Sequence, residues 1–121
     1  MANEITTVLR LNVSNGNYTD QFLAAPAITQ NTLGSTGGVQ TIGTSAENLA
    51  VGDIATLGML CMTNLDSTNY VTYGPDDSGT QKTFGRLSPG ESAIMRLQPG
   101  ITVKLTANTA PVKIKYLLLN D

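Results

Sequence analysis

The chain has no histidine, no tryptophan and one cysteine, and charged residues make up only 13% of its 121 positions. Each shortage removes a class of function. Without His, no side chain can serve as the base of a Ser-His-Asp triad. With a single Cys as well, a zinc site lacks its usual donors. Cys61 has no partner for an internal disulfide and sits among apolar neighbours, so it reads as a buried, inert thiol packing as a small hydrophobe. Aromatic residues are 5% of the chain, all Tyr or Phe, which leaves few large exposed rings for sugars or bases to stack on. A net charge of −2 with so few aromatics speaks against a nucleic-acid surface. No apolar run approaches the roughly 20 residues of a membrane-spanning helix. The opening residues MANEITTV lack the basic-then-apolar order of a secretory signal, so synthesis and assembly inside a cell is the expectation.

What is present is threonine, asparagine and short alternating apolar runs, the composition of a β protein. Residues Glu4 to Val13 place Ile5, Thr7, Leu9, Leu11 and Val13 on one face and end at Asn15-Gly16, a turn signal. Pro26 and the β-branched residues around it argue against a helix between Tyr18 and Thr32, leaving two short strands there. Thr44 and Glu47 have capping-box spacing, enough for one helical turn. The stretch Gly58 to Gly74 reads as strand, polar connection, strand. In its first run Met59 and Cys61 alternate with Leu60 and Met62, so both faces are apolar. Pro75 to Gly79 and Ser88 to Glu91 are turns, and Phe84 is the expected core anchor of the strand between them. The last two strands are the cleanest: Ile101, Val103, Leu105 and Ala107 point inward, then Val112, Ile114, Tyr116 and Leu118, with Thr and Lys between. Turn signals every 8 to 12 residues or so, with almost no helical period, predict an all-β fold. The expected form is an antiparallel sandwich of jelly-roll type with about eight or nine strands. The chain reads as one domain over residues 1–121, with 1–7 as a flexible arm that could add a strand to a neighbour.

Residues that could carry chemistry are few. Asp76 and Asp77 are adjacent on an expected turn, which suits neither a glycosidase pair nor a full calcium loop. The glycine-rich loop Leu33 to Gly38 is followed by a strand and has no nearby Lys, so it does not cradle phosphate. Tyr70, Tyr73 and Asn69 cluster closely enough to keep a carbohydrate site in play. Residues 1–80 carry −6 and residues 81–121 carry +4, so either acidic and basic patches meet across subunits or the two halves interleave in one sandwich. Leu117 and Leu119 share the outward face of the last strand with two lysines, where a lone soluble domain would carry polar groups. Together with Leu60 and Met62 they are candidates for a face covered by a partner, unless the sandwich covers them itself. Ile5 in the arm and Tyr70 complete the set of expected subunit or capsid contacts.

The residues from Gly43 onward resemble small virion proteins of tailed bacteriophages. The likeness is carried by Asn64-Leu65-Asp66-Ser67-Thr68-Asn69-Tyr70-Val71-Thr72-Tyr73-Gly74, by Leu87-Ser88-Pro89-Gly90-Glu91, by Met95-Arg96-Leu97 and by Val112-Lys113-Ile114-Lys115-Tyr116. These are turn and core residues, and the likeness, from Gly43 onward, covers about two thirds of the chain. The resemblance implies a capsid decoration (cement) protein: non-catalytic, without cofactor or metal, a dimer or trimer bound to the major capsid protein on the outside of the head. The alternatives are a head-fibre or tail sandwich, or a carbohydrate-binding receptor module.

Overall fold

The computed structural model describes residues 2–121, and within them the chain is all β, with no helix. Met1, the first residue of the expected arm, lies outside the described residues. The chain divides into two compact units, with the boundary after Asn31.

The first unit is a two-stranded ribbon. Strands β1 (Ile5–Thr6) and β2 (Leu9–Asn15) run antiparallel to β3 (Tyr18–Ala24) and β4 (Ala27–Ile28). Gly16, at φ +60°, takes the first central position of the β2–β3 turn, as a two-residue type II′ hairpin requires. The register is continuous across the gap, since Thr6 faces Ala27, Leu9 faces Ala24, and the Thr7 amide donates to the Pro26 carbonyl between them at 3.1 Å. Pro26 interrupts strand assignment because it has no amide to give. Residues 5 and 6 are therefore paired within their own ribbon, and the separate unit extends far beyond residue 7.

The second unit holds two antiparallel sheets over one core. Its strands are β5 (Ser35–Ile42), β6 (Glu47–Asn48), β7 (Leu57–Asn64), β8 (Val71–Asp77), β9 (Thr80–Gln81), β10 (Gly85–Leu87), β11 (Ser92–Arg96), β12 (Val103–Ala107) and β13 (Val112–Asn120). One sheet has the order β10-β8-β12-β6, with β9 appended to β8, and the other has the order β11-β7-β13-β5. Ile42, Leu60, Met62, Val71, Leu105, Ile114 and Leu118 are almost completely buried in a single cluster fed by both sheets. The alternation expected for β12 and β13 is present, with Val103, Leu105 and Ala107 facing Val112, Ile114, Tyr116 and Leu118 across the core. Strands from the acidic and basic halves interleave in both sheets, and Asp76 and Asp77 pair with Lys104 and Lys82, each at 3.9 Å.

Three local expectations change. Pro75, Asp76 and Asp77 belong to β8, and the reversal lies at Ser78 and Gly79, both at positive φ. Glu47 opens no helical turn. It sits in β6, and its carboxylate accepts the Gly43 amide at 2.9 Å, one residue before the Thr44 amide that a capping box would use. Phe84 is not a core residue and is 84% exposed. The reason lies at Gly74, where a Cβ would strike the Lys82 carbonyl and the Phe84 amide. The β9 pairing and the β10 pairing on β8 differ by one residue of register. That irregularity breaks the alternation that would have turned Phe84 inward.

Candidate functional site

The outer face of the β11-β7-β13-β5 sheet is set by its ladders. Leu60 pairs with Leu118 and Met62 with Tyr116, so these four share the inward face. Leu60 and Met62 are consequently buried in the chain's own core and unavailable to a partner, a correction to their expected role in contact. Their alternates Met59 and Cys61 lie on the opposite face. Across that face Ile94 pairs with Cys61, Cys61 with Leu117 and Leu117 with Gly37, one row crossing all four strands. Beside it, Arg96 faces Met59 and Leu119 faces Ser35; on the other side lie Ser92, Thr63, Lys115 and Val39.

This arrangement leaves apolar side chains on the solvent side of a sheet. Leu117 is 48% exposed and Ile94 40%, while Cys61 and Leu119 are half-buried. Gly37 supplies no side chain in the central row, so the flank of Leu117 is bare backbone. A Cβ at Gly37 would in turn press on the Tyr116 carbonyl oxygen, 2.5 Å away, which ties the glycine to this sheet geometry. The rim is polar. Arg96 donates to the Asp121 carboxylate at 2.7 Å at one end, and the Thr63 and Ser92 hydroxyls share a hydrogen bond of 2.9 Å at the other, near Lys113 and Lys115. An apolar centre with a polar, partly basic rim is the anatomy of a protein-contact surface. Burial pushes the Cys61 thiol above its ordinary pKa, so it stays protonated at neutral pH and behaves as an apolar group in the patch.

Of the expected contact residues, Leu117 and Leu119 lie in this patch. Ile5 sits half-buried on the separate ribbon, opposite Ile28. Tyr70 is half-buried, with the Arg86 guanidinium 4.5 Å over its ring, a cation–π contact that covers one face of that ring. Sequence reasoning missed Ile94, Cys61, Met59 and Val39 as neighbours of Leu117. The signal was the two-sided apolar character of β7, but the partner row depends on pairing across more than 20 residues.

A cavity of about 300 Å³ opens elsewhere on this unit, lined by Tyr73, Pro75, Phe84, Met95, Leu97 and Ile101 among others, all apolar at its surface. Asp76 and Asp77 face lysines across their ion pairs, and among the described residues no group of three or more metal-ligating side chains converges. Among the described residues no helix is long and apolar enough to cross a membrane. No family model, curated protein or solved structure matches the chain.

Proposed function

We propose that the chain is a non-catalytic jelly-roll module that decorates the outer surface of a tailed-bacteriophage head, seated on the major capsid protein and stabilising contacts between capsid subunits. Support for the jelly roll comes from strand order. Leaving aside the short β9, the eight strands from β5 to β13 fall into two sheets ordered β5-β13-β7-β11 and β6-β12-β8-β10, the order produced by two nested Greek keys. The resemblance of the Asn64 to Gly74 stretch to phage virion proteins points the same way.

The observation that carries the functional reading is the apolar row Ile94, Cys61, Leu117 across the outer face of one sheet. Placed against a capsid, it removes apolar area from water, at roughly 25 cal/mol per Å² before the costs of association. A protein that binds the assembled shell and not its separated subunits stabilises the shell by mass action, by about 2.7 kcal/mol per site at 100 times Kd. The rim lysines Lys113 and Lys115 favour an acidic surround on the capsid side, Arg96 being paired already with Asp121.

The test is co-sedimentation of the purified protein with purified heads and purified tails. Saturable binding to heads, with a higher temperature for genome release, is the expected result. Binding to tails alone would move the assignment to a tail sandwich, and binding to neither would overturn it.

A further inference from the structure

The ribbon of residues 2–31 has a face that no other strand of its own unit covers. Because its register is continuous from Ile5 to Ile28, side chains alternate coherently along its whole length. One face carries Ile5 and Ile28, Leu9 and Ala24, Leu11 and Phe22, Val13 and Asp20, and at its tip Tyr18. The other carries Arg10, Asn12, Gln21, Ser14 and Thr19, with Val8 and Leu23 as its large apolar exceptions. Leu11 is 66% exposed, Phe22 60% and Tyr18 59%, and none of residues 2–31 reaches full burial. A two-stranded ribbon in water is marginal, and three or more strands or a covering layer are needed to hold it.

We propose that this apolar face packs against the same face of a second copy of the chain, forming a four-stranded sandwich that joins two subunits. Two twisted ribbons stacked about 10 Å apart form the smallest assembly that supplies the missing layer. The area suffices. Aromatic side chains bury about 150–250 Å² each, so a face with Phe22, Tyr18, Leu11 and their smaller neighbours offers on the order of 500 Å². Two such faces together reach about 1,000 Å², where specific interfaces begin. Charge does not oppose the pairing, because the face holds a single group charged at neutral pH, Asp20. Its carboxylate already accepts the Gln21 amide at 2.7 Å and the Tyr18 hydroxyl at 3.3 Å. Large side chains (Phe22, Tyr18) and a small one (Ala24) lie along the same strand, leaving room for interdigitation.

The inference is independent of the capsid reading, and its test involves no capsid. Sedimentation equilibrium of the full chain at tens of micromolar is expected to give twice the 12.7 kDa of one chain. The double variant Leu11→Glu, Phe22→Glu is expected to sediment as a monomer with the thermal transition of the sandwich unchanged. Asn12→Lys on the polar face and Leu117→Glu on the sandwich are expected to leave the larger mass intact. As a second measurement, Leu11→Cys in a Cys61→Ser background should be captured as a covalent dimer by a short bismaleimide. A wild-type mass of 12.7 kDa, a double variant that keeps the larger mass, or a Leu117→Glu variant that loses it would each overturn the proposal.

Discussion

Asn64 is the one almost fully buried polar side chain of the sandwich core, and its three hydrogen bonds show why an amide stands there. Its Nδ2 donates to the Leu87 carbonyl at 2.9 Å and the Asn69 carbonyl at 3.0 Å, and its Oδ1 accepts the Asp66 amide at 2.8 Å. Its own backbone pairs with Glu91 and Gly90, so one residue binds the β7–β8 connection to the Ser88–Glu91 turn. Asn64→Ala is expected to lower unfolding stability by about 3 kcal/mol, since it orphans several buried groups at once. Asn64→Asp should cost at least as much, because a carboxylate cannot donate to two carbonyls; urea titration of both variants checks this. Two residues on, the Asp66 carboxylate accepts the Thr68 and Asn69 amides, and these bonds hold its pKa below the ordinary value. A depressed carboxylate contributes stability that is present above its unfolded pKa of about 4 and is lost as pH falls through the lower folded value. Melting temperatures from pH 6 to pH 2 should therefore fall less steeply for Asp66→Asn than for the wild type.

At the scale of elements, the chain was most legible where alternation is clean and least legible where a bulge intervenes. The inward faces of β12 and β13, the presence of a turn at Gly16 and the two-faced character of β7 all follow from period-two patterning and turn chemistry. Phe84 does not. Its environment depends on how β9 and β10 pair with β8 around Gly74, a long-range register that no local window contains. Phe84→Ser is accordingly expected to change stability by less than about 0.5 kcal/mol, whereas Leu60→Ala should cost about 2–5 kcal/mol. Thermal denaturation of the two variants separates these outcomes, and a large loss for Phe84→Ser would mean that the ring is buried after all. The ribbon shows the same limit from another side. Its alternation was visible from Glu4 to Val13, but the matching face of Tyr18 to Ile28 emerges only once Leu11 is seen opposite Phe22.

For the whole molecule, two surfaces stand apart from the core: the apolar face of the ribbon, proposed to meet a second copy, and the outer face of the β11-β7-β13-β5 sheet, proposed to meet the capsid. Half of the second was readable, because Leu117 and Leu119 sit where polar residues belong. The other half was not, because Ile94 and Cys61 join them only through ladders between distant strands. Cys61, the single thiol of the chain, lies in the middle of that row and reports on it directly. Maleimide labelling at pH 8.5 should be slowed several-fold by bound heads and unaffected by tails. The most direct test of the central claim is the affinity of Leu117→Glu for purified heads, compared with that of the wild type in a sedimentation binding assay. A buried contact of this kind is worth about 2 kcal/mol or more, so the variant should bind about 30-fold more weakly while keeping its wild-type melting temperature. Equal binding by the two proteins would contradict the assignment of this face to the capsid.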